Sequence, residues 1–338
     1  MAPVAGRLST RQAGNMRFIV YGAGAIGGAI GGRLFEAGHD VTLLARGDHL
    51  GALQDDGLTL VSPDGSATLR LPAVGHAGEA DLRDGDVVIL AMKSQDAPAA
   101  LADLATHAPP GVRVVCAQNG VENERVALRF FPRVYAVAVM LPATHLQPGV
   151  VVAHLAPTTG LLDLGCYPEG VDAVAEEVSG ALAGATFGSL ARPDIMRWKY
   201  RKLILNLANA VEAVCGPEAA RSTPLARMAR AEGEACLQAA GIDAVSIEDD
   251  RARRGDLFEF RPVPGHERQG GSSWQSLARG LRSVETDYLT GEIVLLGRLH
   301  RVPTPVNDLL QRLANRMAAE GRPPGSVAAE DVLARLAL

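Results

Sequence analysis

Lysine is nearly absent from this 338-residue chain. Of its 33 Lys and Arg residues, only Lys93, Lys199 and Lys202 are lysines. A sequence that uses arginine wherever a positive charge suffices keeps lysine, chance retention aside, where a compact ammonium must give up a proton, since guanidinium stays protonated in practice. Cysteine is scarce too. Cys116, Cys166, Cys215 and Cys236 stand far apart, with no CxxC pair and no Cys/His spacing that closes around zinc, so they read as reduced thiols of a cytoplasmic protein that holds no metal. No stretch reaches the ~18 apolar residues of a membrane span, and residues 1–15 lack the apolar run of a signal peptide. That segment reads as a loose tail, with Met16 as an alternative start. There is no excess of positive charge: the net charge of −5 leaves no electrostatic footprint for nucleic acid or an anionic membrane.

What is present is the balance of a globular protein, 47% hydrophobic and 21% charged, long enough for two domains. Arg17-Phe18-Ile19-Val20-Tyr21 reads as a buried strand running into Gly22-Ala23-Gly24-Ala25-Ile26-Gly27. A helical pattern from Ile26 to Ala37 and a second strand, Asp40 to Ala45, complete a βαβ unit. In that setting the first glycine permits a tight turn, the second lets backbone approach a pyrophosphate, and the third lets helix pack on strand. The helix N-terminus then offers free N–H groups to the phosphates. A dinucleotide cofactor is expected there.

Where an NAD-binding fold usually ends its second strand on Asp or Glu, this chain has Arg46, whose guanidinium can pair with a 2′-phosphate. NADP is therefore expected over NAD. Asp48, two residues on, could serve a ribose instead, and Arg46 could be a solvated loop charge. Strands Asp86–Ala91 and Val112–Ala117 lead into Met92-Lys93-Ser94-Gln95 and Gln118-Asn119-Gly120. Ligands bind at that strand edge in a doubly wound sheet. Lys93 is expected to touch cofactor and Asn119 to lie between cofactor and substrate; the alternatives are a surface charge and a turn cap.

Val150 to Gly165 reads as strands extending the same sheet in hairpin fashion. Long helical patterns begin near Pro193-Asp194, which sets the expected division: tail 1–15, a nucleotide-binding domain over 16–192, and a helical domain over 193–338. In a helix from Ile195 to Val214, Lys202, Asn206 and Asn209 fall at i, i+4 and i+7, one polar stripe on an otherwise apolar surface. Such a stripe faces water, a polar partner or a ligand cleft. A solvent face more usually carries Glu, Arg or Gln, so the cleft is expected. Gly270-Gly271-Ser272-Ser273-Trp274-Gln275-Ser276 leads into a long helix containing Arg282 to Tyr288, with Ser272 or Ser273 as N-cap or ligand contact. Glu285 either orients a lysine or pairs with Arg282. Residues 248–269 read as a charged loop or flap, and Pro303-Thr304-Pro305 opens a last helical segment.

Taken in order, MRFIVYGAGAIGG, VTLLARG, the MKSQD and AQNG turns, RKLILNLANA, GSSWQSL and ETDYLTGEIVLLG resemble the ketopantoate reductase family, the 2-dehydropantoate 2-reductases. The resemblance implies an α/β fold: an N-terminal Rossmann-type domain, an all-α C-terminal domain of the 6-phosphogluconate dehydrogenase type, and an active site between them. It implies reduction of 2-oxopantoate to pantoate by NADPH in pantothenate synthesis. By motif, Lys202 matches the general acid, Glu285 the glutamate near lysine and nicotinamide, and Asn119 the cleft asparagine. Asn206 and Ser273 match substrate contacts, while Arg46 and Lys93 match contacts on the adenosine phosphate side. The chemistry agrees, because hydride addition to a ketone develops alkoxide charge that a desolvated lysine stabilises and protonates.

Two departures stand out. Eight residues after the lysine, where the family often has a second asparagine, stands Ala210; Asn209 is the nearest candidate. The segment before Ser272 is long and can reshape the pocket for another 2-oxo acid. Besides the expected small-molecule 2-oxo acid partner, two readings stay open: a relative acting on another 2-oxo acid or an imine, as opine dehydrogenases do, and a cofactor sensor without turnover. Monomer and homodimer are both compatible with the helical half.

Overall fold

A computed structural model describes residues 16–267 and 269–337; the expected N-terminal tail lies outside them. The chain runs β1 (Arg17–Tyr21), α1 (Ala25–Glu36), β2 (Asp40–Leu44), α2 (Gly47–Asp55), β3 (Leu58–Ser62), β4 (Gly65–Leu69) and β5 (Ala73–Val74). It continues through β6 (Val87–Leu90), α3 (Ala97–His107), β7 (Arg113–Cys116), α4 (Asn123–Ala127), β8 (Val134–Met140), β9 (Ala143–Thr144), β10 (Val150–Ala153), β11 (Gly160–Cys166), α5 (Ala173–Gly184) and β12 (Phe187–Gly188). Helices follow: α6 (Ile195–Asn206), α7 (Ala208–Cys215), α8 (Pro217–Ser222), α9 (Leu225–Ala239), α10 (Ile247–Arg254), α11 (Ser272–Ala278), α12 (Thr290–His300), α13 (Pro305–Glu320) and α14 (Ala329–Leu336).

The main sheet has the order β12-β11-β8-β7-β6-β1-β2-β5 and is parallel except where β11 runs against β8. Its strands are almost wholly buried, as a parallel sheet covered on both faces requires. The expected β1-α1-β2 unit is present, and the order reverses around β1, so the carboxyl ends of β1, β6 and β7 open onto one crevice. Glycines bring α1 close to its neighbours. A Cβ at Gly27 would sit 2.2 Å from the Gly22 carbonyl oxygen, and one at Gly28 2.7 Å from Val151. One flank of α1 thus rests on the main sheet and the other on a second sheet, ordered β4-β3-β10-β9.

That second sheet corrects the hairpin expectation for Val150 to Gly165. Only β11 joins the main sheet; β10 pairs parallel with β3 and antiparallel with β9. The helical half has its own apolar core, including Leu203, Leu207, Val211, Leu225, Ile293 and Leu310. Between the two lies a small seam in which Ile195 of α6 packs on Ala136 and Ala138 of β8.

Three helical expectations are also corrected. The single helix Ile195–Val214 breaks at Leu207, where the turn tightens and the Leu205 carbonyl accepts from Arg230 Nη2 at 3.5 Å. The polar stripe survives the break. The long helix through Arg282 to Tyr288 does not form, because Gly280, at φ +69°, ends α11 in a Schellman motif: its N–H donates to Leu277 O and that of Leu281 to Ser276 O. The charged flap begins as a helix, α10, capped by Ser246.

Candidate active site

A cleft of about 770 Å³ lies between the strand ends and the helical half. Its floor is built by the turn after β1. Gly22 adopts φ +99° and a Cβ there would meet the Met92 backbone nitrogen at 2.6 Å, so only glycine fits. Gly24 caps α1 with no side-chain hydrogen bond, and a Cβ on Gly24 would meet nothing within 4 Å. The first-turn N–H groups therefore face open space, a fit for the pyrophosphate of a dinucleotide. Gly22, Ala23, Gly24, Ala25 and Ile26 line the cleft, whereas Gly27 lies beneath it against the sheet.

Arg46 follows β2, lines the cleft, is 77% exposed and stands 3.7 Å from Asp96. Asp48 is exposed on the first turn of α2 and is not part of the cleft wall. Lys93 is no surface charge: its Nζ donates to Ser276 Oγ across the cleft. Burial pulls its ammonium down in pKa, partly opposed by the carboxylate of Glu285.

Glu285, buried in the turn before α12, accepts at Oε1 from the Ser94 N–H at 2.9 Å and the Ser94 hydroxyl at 2.8 Å. The alternative ion pair with Arg282 is not formed; Arg282 donates instead to the Ala319 carbonyl. Asn119, on the turn after β7, accepts at Oδ1 from Asn206 Nδ2 at 2.9 Å, joining the strand edge to the helical stripe. Lys202, Asn206 and Asn209 all face this cleft, so α6 and α7 keep one polar line despite their break.

Ser273, like Gly27, is an expected site residue that does not line the cleft. The N-cap of α11 is Gly271, and neither Ser272 nor Ser273 caps it. Ser272, Gln275, Ser276 and Arg279 form the cleft face at i, i+3, i+4 and i+7, while Ser273 is buried at 2% exposure. Ser272 Oγ stands 3.5 Å from Asn209 Nδ2, and Glu212 holds the helix start by accepting from the Gly271 N–H at 2.7 Å.

Sequence reasoning counted Lys199 among the three retained lysines but gave it no partner. It is 2% exposed, pairs with the fully buried Glu124 at 2.5 Å and donates to the Gln118 carbonyl at 2.9 Å, one residue from Asn119. That reasoning passed over two histidines in the cleft wall. His49 bridges Ala23 O at 2.8 Å and the Gly149 N–H at 2.9 Å, and its ring lies 4.2 Å from that of His145. The available signal was the place of His49, three residues after Arg46.

Burial depresses both imidazoles, that of His145 to about 4. Against an unfolded value near ~6.5, the folded protein binds fewer protons between these limits, so stability rises with pH across that window and is lost as pH falls. Denaturant titrations from pH 4 to 6.5 should show this rise, with the slope in His145→Asn shallower by at most about 1.4 kcal/mol per pH unit. An unchanged slope would remove His145 from that account.

A parallel sheet with a glycine-rich turn at its strand ends, facing a helical unit across one polar cleft, is the architecture of the Rossmann-class oxidoreductases. Two family models match, "Ketopantoate reductase PanE/ApbA" over residues 18–169 and "Ketopantoate reductase PanE/ApbA C terminal" over 194–318. The chain belongs to the ketopantoate reductase family. It is 30% identical to a 2-dehydropantoate 2-reductase of Mesorhizobium japonicum, over 90% of this chain and 98% of that one. A PanE/ApbA family ketopantoate reductase structure from Ralstonia eutropha superimposes with a TM-score of 0.76 at 27% identity, covering 90% of this chain and 99% of that chain. D-mandelate dehydrogenase with NADH and anilino(oxo)acetate shares the fold at 22% identity and a TM-score of 0.77, covering 90% and 99%. Among the described residues no helix is long and apolar enough to cross a membrane, and no cluster of three His, Cys, Asp or Glu is placed to hold a metal.

Proposed function

We propose that the protein reduces 2-dehydropantoate (ketopantoate) to pantoate with NADPH, a step of pantothenate synthesis. The observation that carries this reading is the bond from Asn206 to Asn119, which sets the Lys202 stripe opposite the dinucleotide floor. The bound cofactor supplies the hydride. Lys202 Nζ stabilises the developing alkoxide and delivers a proton to it. Asn206, Asn209 and Ser272 offer neutral donors to the substrate's carboxylate and hydroxyl. Glu285, fixed by Ser94, keeps negative charge beside Lys93 and so favours its ammonium form. Four free thiols suit a reducing compartment, the cytoplasm.

Arg46, exposed at the β2 end of the cleft, supports the choice of NADPH, because a 2′-phosphate gives its guanidinium a bidentate partner. The test is oxidation of NADPH by purified protein with 2-oxopantoate, run beside NADH and other 2-oxo acids. NADPH-selective turnover of 2-oxopantoate is expected, and turnover of no 2-oxo acid would sink the proposal. In Arg46→Ala the Kd for NADPH should rise about 10–100-fold while that for NADH stays within about twofold, the loss of a charged hydrogen bond in one cofactor only. Equal weakening of both would remove the 2′-phosphate from the argument.

A further inference from the structure

Among the described residues of the charged segment 248–269, Phe258 is the one that lines the cleft. Strand order shows at which end. Arg46 follows β2, whereas β8 and β11 lie on the far side of β7. Leu141 and Pro142, which continue from β8, line the cleft there. Because β11 starts opposite the end of β8, with Leu161 paired to Met140, residues 154–159 run alongside that edge.

The strap Gly255–Arg261 is tied to those residues. Glu259 O accepts from the Ala156 N–H at 3.2 Å, the Arg261 N–H donates to His154 O at 3.1 Å, and Thr158 Oγ1 donates to Leu257 O at 2.6 Å. Its root is held by Arg253, which donates through Nε and Nη2 to the buried carboxylate of Asp163 on β11 at 2.8 and 2.6 Å. The Phe258 ring is steadied by Phe260, edge-on at 5.6 Å, and by the Arg254 guanidinium at 5.9 Å. This end of the cleft therefore combines a polar line, Lys202, Asn206 and Asn209, with an apolar wall of Leu141, Pro142 and Phe258.

We propose that Phe258 is a specificity-determining residue that favours 2-oxo acids with a branched or larger apolar side chain over pyruvate. The inference rests on the reductase reading above. A 2-oxo acid whose carboxylate, ketone and any hydroxyl lie on the polar line has only the alkyl carbons of its side chain left to cover the wall, and an apolar group there removes the ring's exposed face from water. Pyruvate, with a single methyl, covers little of it.

The test compares kcat/KM for 2-oxopantoate and 2-oxoisovalerate with that for pyruvate, in wild type, Phe258→Ala and Phe258→Leu. In Phe258→Ala the ratio of branched acid to pyruvate should fall about tenfold, within the range that one hydrophobic contact discriminates. In Phe258→Leu most of it should return, and the Kd for NADPH should hold in both. Melting temperatures within a few degrees of wild type establish that both variants fold. A ratio unchanged in Phe258→Ala overturns this inference alone and leaves the reductase reading standing. A rise in the NADPH Kd would place the ring against cofactor and overturn it as well. No turnover of any 2-oxo acid by the wild type overturns both.

Discussion

Lys202→Ala should lower kcat for 2-oxo acid reduction about a thousandfold, the middle of the range for a lost general acid, while the Kd for NADPH changes by less than about threefold. The split follows from position. Lys202 stands on the helical wall of the cleft, whereas the floor that would receive a dinucleotide is backbone and glycine. Lys202→Arg sharpens the test, since guanidinium restores the charge without a transferable proton and should recover little of the rate. Steady-state kinetics beside a fluorescence titration of NADPH reads both quantities. A Lys202→Ala variant within tenfold of wild type would remove the lysine from the chemistry and give weight to the sensor reading.

The second large effect belongs to the lysine one helical turn earlier and is expected in stability. Lys199→Ala leaves Glu124, fully buried, without its cation, and breaking a buried pair in this way costs about 3–5 kcal/mol. Replacing both partners with apolar groups of similar size, Lys199→Met with Glu124→Leu, should recover most of that loss, because neither charge then has to be desolvated. Urea unfolding of the three proteins decides the matter. A loss under about 1 kcal/mol in Lys199→Ala would mean that water reaches Glu124 once the lysine is gone.

These two lysines mark the limit of what could be read from the chain alone. The βαβ unit was legible because its signals are local: a β-rich run, three glycines and a helical period within thirty residues. The Lys202, Asn206 and Asn209 stripe was legible because helix geometry sets which side chains share a face, and a one-residue tightening at Leu207 leaves that face intact. The work of Lys199 was not, because its partner Glu124 is 75 positions away and on another element. The bond of Glu285 to Ser94 spans 191 positions, and the pairing of β10 with β3 rather than with the main sheet joins strands about ninety residues apart. Ser272 and Ser273 show a finer limit. Which of two adjacent serines meets a cleft depends on the phase of a seven-residue helix, and Gly280 ends that helix too early for a longer pattern to settle it.

The anchoring of Lys199 carries one more consequence, for motion. Its ammonium is tied to Glu124 and to the Gln118 carbonyl in the turn after β7, and Ile195, one turn further back on α6, is packed on β8. This stretch of α6 is thus one of the places where the helical half is fastened to the sheet, beside the bonds from Asn206 to Asn119 and from Ser94 to Glu285. Lys202 lies only about 4.5 Å further along the helix axis. Lys202 is therefore expected to hold its position over the strand ends better than a side chain farther from that anchor.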